Sequence, residues 1–342
     1  MKFKGLFALI LVAFIIGAGG YYIYNGGFFE NGYRLTMNDV QDLADRETNE
    51  SNNMVEQKES ELIARLERGC IAGKDCIPSI DDPKFVSAAE ADEYLDDDDW
   101  VIGLERSGVV RAYPLNILNW HEIINDKVGD EPIAISFCPL CYTGNAFIRE
   151  IDGEETEFGV SGYLINSNLV MYDRLTGSLW EQLTGEALNG PNVSEKLKKI
   201  TVATLPWEDW LENHPETQVL SRDTGFDRDY DQSPYGDYDE STDVFFSVAN
   251  RDNRLFEKEI VYGVYYDGVA KAYPRSLLEN LNDDEKILDD EIGDNPVEIK
   301  WDDGKFSVFA KESGEEIVPE ISFWFAWVAF YPDTEIYERA GQ

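Results

Sequence analysis

"VIGLERSGVVRAYPLNIL" (residues 101–118) and "VYGVYYDGVAKAYPRSLL" (residues 261–278) are two versions of one segment. Val101 matches Val261, Gly103 matches Gly263, Gly108 matches Gly268, and Ala112-Tyr113-Pro114 matches Ala272-Tyr273-Pro274, all at an offset of 160. Each version reads as a strand, a glycine-centred turn, a second strand, and a proline that opens a helix. Two more matches follow in the same order. "VGDEPIAI" (128–135) pairs with "IGDNPVEI" (292–299) at an offset of 164, and "WLENHPETQVL" (210–220) pairs with "WVAFYPDTEIY" (327–337) at 117. Three blocks in one order predict an internal duplication. The expected fold is α+β, with two related strand-rich lobes over residues 69–250 and 251–342, the second a degenerate copy.

The shrinking offset means that the first copy carries 47 more residues than the second. Much of the excess should be "SGYLINSNLVMYDRLTGSLWEQLTGEA" (161–187). What the copies share suffices to build a lobe, so what only the first contains is where function is sought.

Ahead of the lobes, Lys2 and Lys4 precede 25 residues without a charge, Gly5 to Phe29. That length crosses a bilayer as a helix. The lysines place the N-terminus inside and the acidic bulk outside. Residues 1–29 are therefore expected to be a single-pass anchor in the cell membrane, the chain's membrane partner. The alternative is a signal peptide cleaved near Ala18, Gly19 and Gly20, leaving a secreted protein. Residues 30–68, rich in charge and amides, read as a polar stalk. The formal charge of −39, from 68 acidic and 29 basic residues, would repel phosphate and excludes a general nucleic-acid partner. An unidentified protein partner stays open.

Chemistry concentrates at "SFCPLCYTG" (136–144), with His121 just upstream in "NWHEIIND". Two thiols at this spacing grip one ion from a tight turn, and one imidazole would make three ligands for copper or zinc. Cys138, Cys141 and His121 are the candidate metal set. Met171 would add a thioether favouring Cu(I), and Glu122 or Asp173 would steady the imidazole or a bound water. The rival is a redox dithiol, with Cys138 attacking and Cys141 resolving. A third reading draws Ser161, His121 and Asp173 as a hydrolytic triad, although no nucleophile elbow surrounds Ser161. The plainest alternative makes the pair a structural staple in an interaction module. Cys70 and Cys76, flanking "IAGKD", are expected to form a disulfide outside the cytoplasm.

The blocks "AYP…NWHE", "CPLC", "SG-x-L-x-N-S" and "MYDR-x-T-x-S-LW" together closely resemble the bacterial and archaeal domain-of-unknown-function family numbered 3179, over about Gly73 to Tyr273. The resemblance implies a secreted or membrane-attached protein and assigns no activity. Tyr142 stands where a small residue is common in that family, which would narrow access to the site. Trp120 and Trp180 are candidate pocket walls. Asn166, Ser167, Asp173 and Arg174, in the extra segment, are candidate lining residues. Asp227, Asp229 and Asp231 alternate as calcium ligands can, but no glutamate completes an EF-hand; a polar loop between lobes is the simpler reading.

Overall fold

A computed structural model describes residues 22–24, 27–30, 33–35, 53–54, 56–281, 286–302 and 305–338. The chain divides into two compact units, residues 1–62 and 63–342.

In the first unit the described strands Tyr22–Tyr24, Gly27–Glu30 and Tyr33–Leu35 form an antiparallel meander. Tyr24 pairs with Gly27 and Glu30 with Tyr33. The two residues between each pair are Asn-Gly in sequence, the strongest short-range hairpin signal. Tyr22–Tyr24 and Gly27–Glu30 are strands, so the expected transmembrane helix does not include them. Residues 1–21 of the expected anchor lie outside the described residues. No helix among the described residues is long and apolar enough to cross a membrane.

The second unit is strand-rich with few, short helices. The same succession of elements occurs twice. The hairpin Trp100–Arg106 with Val109–Pro114 recurs as Ile260–Tyr266 with Val269–Pro274, and their cross-strand partners correspond, Gly103 with Ala112 and Gly263 with Ala272. Each proline opens a helix, Leu115–His121 or Arg275–Leu278. A three-strand meander follows in each copy: Ile123–Val128, Glu131–Cys138 and Thr143–Ile148, against Ile287–Ile292, Asn295–Asp302 and Lys305–Ala310. A tryptophan-paired helix closes each copy, Trp207–Asn213 or Trp324–Phe330.

Glycine is required under those helices. A Cβ on Gly103 would overlap the Trp210 ring, and one on Gly263 would overlap the Trp327 ring. Each indole is then fixed by a threonine hydroxyl, Trp210 Nε1 to Thr217 Oγ1 at 3.0 Å and Trp327 Nε1 to Thr334 Oγ1 at 2.8 Å. The sequence match thus reports one packing solution used twice.

The copies are stitched into one sheet. Glu320–Phe323 of the second copy pairs with its own Ile260–Tyr266 on one side and with Thr143–Ile148 of the first copy on the other. Three strands special to the first copy, Leu179–Glu181, Asn168–Asp173 and Phe158–Ile165, form a separate four-stranded sheet with Glu67–Arg68, from the end of the segment expected to be a stalk. Cys70 and Cys76 are disulfide-bonded, as expected. Their loop lies on this sheet: Cys70 N donates to Gly162 O at 3.1 Å and Asp75 N to Val160 O at 2.8 Å. Gly162, with φ +79°, sits at a bulge where a side chain would strike the Gly73 carbonyl.

Candidate functional site

The Glu131–Cys138 and Thr143–Ile148 strands form a hairpin whose connection carries Cys138-Pro139-Leu140-Cys141. Cys141 N donates to Cys138 O at 3.1 Å, closing a tight turn. Both thiols are free, 1% and 0% exposed. They face one acceptor: Ser167 O lies 3.8 Å from Cys138 Sγ and 3.1 Å from Cys141 Sγ.

That carbonyl comes from the extra segment. Phe158–Ile165 and Asn168–Asp173 pair through Ile165 and Asn168, leaving Asn166-Ser167 as a two-residue turn with φ of +52° and +64°. Two positive φ values define the type I′ hairpin turn, which asparagine tolerates well. Both lobes hold this turn in place. Asn166 donates to Ala329 O at 3.2 Å and accepts from Ala249 N at 3.1 Å. The second lobe also reaches the dithiol directly, because Phe323 N donates to Cys141 O at 2.7 Å.

Beneath the turn lies a buried polar network. Asn168 Nδ2 donates to Gln182 Oε1 at 3.1 Å, and Gln182 Nε2 donates to Ser136 Oγ and Thr143 O at 3.0 and 2.9 Å. Burial, then Cys138, push the Cys141 thiol well above its ordinary value, against a smaller downward pull from Asn168. Cys141 is therefore held as a neutral thiol. Two further hydroxyls stand close by. Tyr238, 3% exposed, has its phenol raised by burial and then by the Cys141 and Cys138 sulfurs, with Ser167 pulling slightly the other way. Neither Tyr238 Oη nor Ser167 Oγ closes a hydrogen bond of good geometry among the described residues.

His121 faces elsewhere. Its Nδ1 lies 2.8 Å from Pro78 O and its Nε2 lies 2.8 Å from the Tyr230 hydroxyl. A carbonyl only accepts, so Nδ1 carries the proton and Nε2 accepts from Tyr230. Burial lowers the imidazole pKa, which keeps that neutral form. Both ring nitrogens are thus engaged away from the sulfurs. Among the described residues no three His, Cys, Asp or Glu side chains gather closely enough to hold a metal ion. The cause is local. The Ile123–Val128 strand runs beside Glu131–Cys138 only from Ile123, paired with Ser136. Glu122 before it adopts φ +57° and ends the helix, so His121 projects from the last helical turn toward Pro78.

The other candidates have structural partners. Ser161 Oγ donates to Val170 O at 2.5 Å and accepts from Tyr163 N at 3.1 Å, stapling the bulge. Asp173 accepts from Thr176 N, Thr176 Oγ1 and Trp180 Nε1. The supposed triad members are therefore committed to separate networks. Arg174 bridges Asp81 and Glu157 at 2.8 and 2.5 Å. Met171 and Trp180 share one core cluster with both cysteines. Trp120 Nε1 donates to Gln232 O at 3.0 Å. Glu122, buried, accepts from Tyr235 Oη at 2.9 Å, and burial lifts its carboxyl to about 7. Asp231 is paired with Arg222 at 2.6 Å.

Sequence reasoning missed the tyrosines. Tyr230, Tyr235 and Tyr238 come from "DTGFDRDYDQSPYGDYDE" (223–240), read as a polar loop between the lobes. Three tyrosines amid that acid were the available signal, since a solvated loop has no use for large rings. Tyr235 and Tyr238, with Phe137, Pro139, Tyr142 and Trp100, line a cleft of about 220 Å³ over the dithiol turn. Tyr142, at φ +55°, packs edge-on to Trp100 and Phe137 at 5.6 and 5.5 Å and lies tilted against Phe323 at 5.2 Å.

Over residues 74–318 the chain matches the family described as "Protein of unknown function (DUF3179)". No curated protein and no solved structure matches it.

Proposed function

We propose that this chain, which belongs to the DUF3179 family of proteins of unknown function, uses Cys138 and Cys141 as a redox-active dithiol. The observation that carries the reading is the pairing of two free thiols on one carbonyl, Ser167 O, in a closed four-residue turn. In the forward step a thiolate of Cys138 attacks an external disulfide and one thiol leaves. Cys141 then displaces the second thiol, closing Cys138–Cys141. Two electrons and two protons pass from the protein to the disulfide. Both sulfurs are buried, so exchange waits for the cleft floor of Pro139, Tyr235 and Tyr238 to part, and that opening limits the rate. The Cys70–Cys76 disulfide and the acidic charge support a place outside the cytoplasm, with the N-terminal segment as anchor or cleaved signal.

The test is exchange with a small disulfide followed by mass analysis of the chain. The wild type should consume one disulfide per chain and lose two protons. Cys141→Ser should stop at a mixed disulfide on residue 138. Cys138→Ser should react at least tenfold more slowly, because the remaining thiol is neutral and sealed. A wild type that never closes the pair, while both variants lose only stability, would refute the reading.

One observation favours a second use of the same sulfurs. The Ser167 and Tyr238 hydroxyls beside them are oxygen donors that a copper or zinc ion could recruit in place of His121. Stoichiometric metal in the wild type, lost on Cys138→Ser and kept on His121→Ala, would favour it.

A further inference from the structure

Lys199 and Glu320 meet at the seam between the two copies. The Glu131–Cys138 strand covers one side of Thr143–Ile148 along its whole length. Two short strands share the other side: Lys199–Ile200 of the first copy, where Lys199 pairs with Phe147, and Glu320–Phe323 of the second, where Ile321 pairs with Gly144. The lysine and the carboxylate are ion-paired where these strands come end to end, with side chains 13% and 9% exposed. Lys199 Nζ also donates to Leu183 O at 2.5 Å, and Leu183 N donates to the buried Glu181 carboxyl at 2.6 Å. Glu181 feels the charge of Glu320, and the Tyr331 phenol, raised by burial and then by both carboxyls, adjoins them.

As a permanent ion pair this arrangement is incomplete. A buried carboxylate needs hydrogen bonds on both oxygens to offset its lost hydration. Glu320 Oε1 accepts from Lys199, but Oε2 is buried with no hydrogen-bond partner among the described residues. Burial raises the Glu320 carboxyl against the pull of Lys199. Moving one proton from the ammonium to the carboxylate removes both charges. An amine then lies beside a carboxylic acid, fixed in place and shielded from water, and such confinement speeds reaction between neighbouring groups.

We propose that Lys199 and Glu320 condense into an isopeptide bond that joins the two copies covalently. Lys199 Nζ attacks Glu320 Cδ, and the N–C bond forms. The C–Oε2 bond then breaks. That oxygen leaves as water, carrying the proton of the acid and one proton from the nitrogen. No electrons are exchanged and no co-reactant is consumed. The product is a neutral amide, so the buried charges and the unmet needs of Oε2 disappear together. This inference goes beyond the redox reading and does not depend on it, since no cysteine takes part.

The experiment is peptide mass mapping of the full chain, folded and incubated at neutral pH, then denatured, reduced and digested. The wild type should yield a branched peptide joining residues 199 and 320, lighter than its two parts together by one water. Lys199→Arg, which keeps a cation opposite Glu320 but has no amine to acylate, should yield only linear peptides. Cys138→Ser combined with Cys141→Ser should form the branch as the wild type does, which separates this result from the fate of the dithiol. Linear peptides alone from the folded wild type, a water lost within a single peptide, or a branch anchored at a different lysine would each overturn the proposal.

Discussion

His121 and Glu122 are neighbours whose titrations are displaced in opposite directions by the same cause. Burial lowers the imidazole pKa and raises the carboxyl to about 7, so the imidazole is neutral at pH 7 while the carboxyl keeps its proton only below that pH. Glu181, buried and bonded to Leu183 N and Thr184 N at 2.6 and 2.7 Å, is likewise lifted to about 7. For a carboxyl raised in the folded state, the native chain holds a proton that the unfolded chain has released between pH 4.5 and about 7. Stability therefore falls as pH rises through that window and levels off above it, by on the order of 3 kcal/mol per group. Glu122→Gln should flatten the pH dependence of urea unfolding between pH 5 and 8; an unchanged slope would show that the group is not buried as an acid. His121 works the other way, costing stability as pH falls below its ordinary value of 6.5. His121→Ala should cost about 2–4 kcal/mol, because it leaves Pro78 O and Tyr230 without their buried partner. It should leave the dithiol's chemistry unaltered. A shifted thiol titration in that variant would mean that the ring and the sulfurs communicate after all.

At the scale of elements, Gly103 and Gly263 are equivalent supports for the two tryptophan helices. Gly103→Ala and Gly263→Ala should each destabilise the chain by about 1–3 kcal/mol through overpacking. Pairing Gly103→Ala with Trp210→Leu should recover part of the loss in a double-mutant cycle; strict additivity would show that ring and glycine do not meet. These elements were legible because a repeat exposes its own punctuation: Gly103, Pro114 and Trp210 mark a strand, a helix start and a helix face, and each has a twin. The extra segment stood out for the opposite reason, having no twin, and its Asn166-Ser167 turn proved to touch the sulfurs. The direction of His121 was not legible. It turns on the left-handed Glu122, a residue type that gives no warning of positive φ. The strands Tyr22–Tyr24 and Gly27–Glu30 were hidden by their own hydrophobicity, although Asn25-Gly26 and Asn31-Gly32 stood in the sequence. The cleft stayed hidden because its tyrosines are scattered through an acidic loop that becomes a wall only when folded against the cysteine hairpin.

At the scale of the molecule, residues 63–342 form one unit, since Glu320–Phe323 belongs to the sheets of both copies. Lys199 of the first copy is ion-paired with Glu320 of the second, where burial raises the carboxyl and the lysine opposes that rise. The two copies should therefore unfold together, with calorimetric and van't Hoff enthalpies in agreement; two separated transitions would show that the lobes are independent. The second copy, which has no cysteine, acts on the site from outside by fixing the Asn166-Ser167 turn and the Cys141 backbone. The dithiol is then a device that the whole unit holds closed. The most direct check is to equilibrate the folded chain across a series of dithiothreitol ratios and map residues 138 and 141 by peptide mass, with near-ultraviolet circular dichroism read in parallel. The account predicts one two-electron transition between dithiol and Cys138–Cys141 disulfide, with native tertiary signal on both sides. Thiols that stay reduced throughout, or that pair only once the tertiary signal is lost, would contradict it.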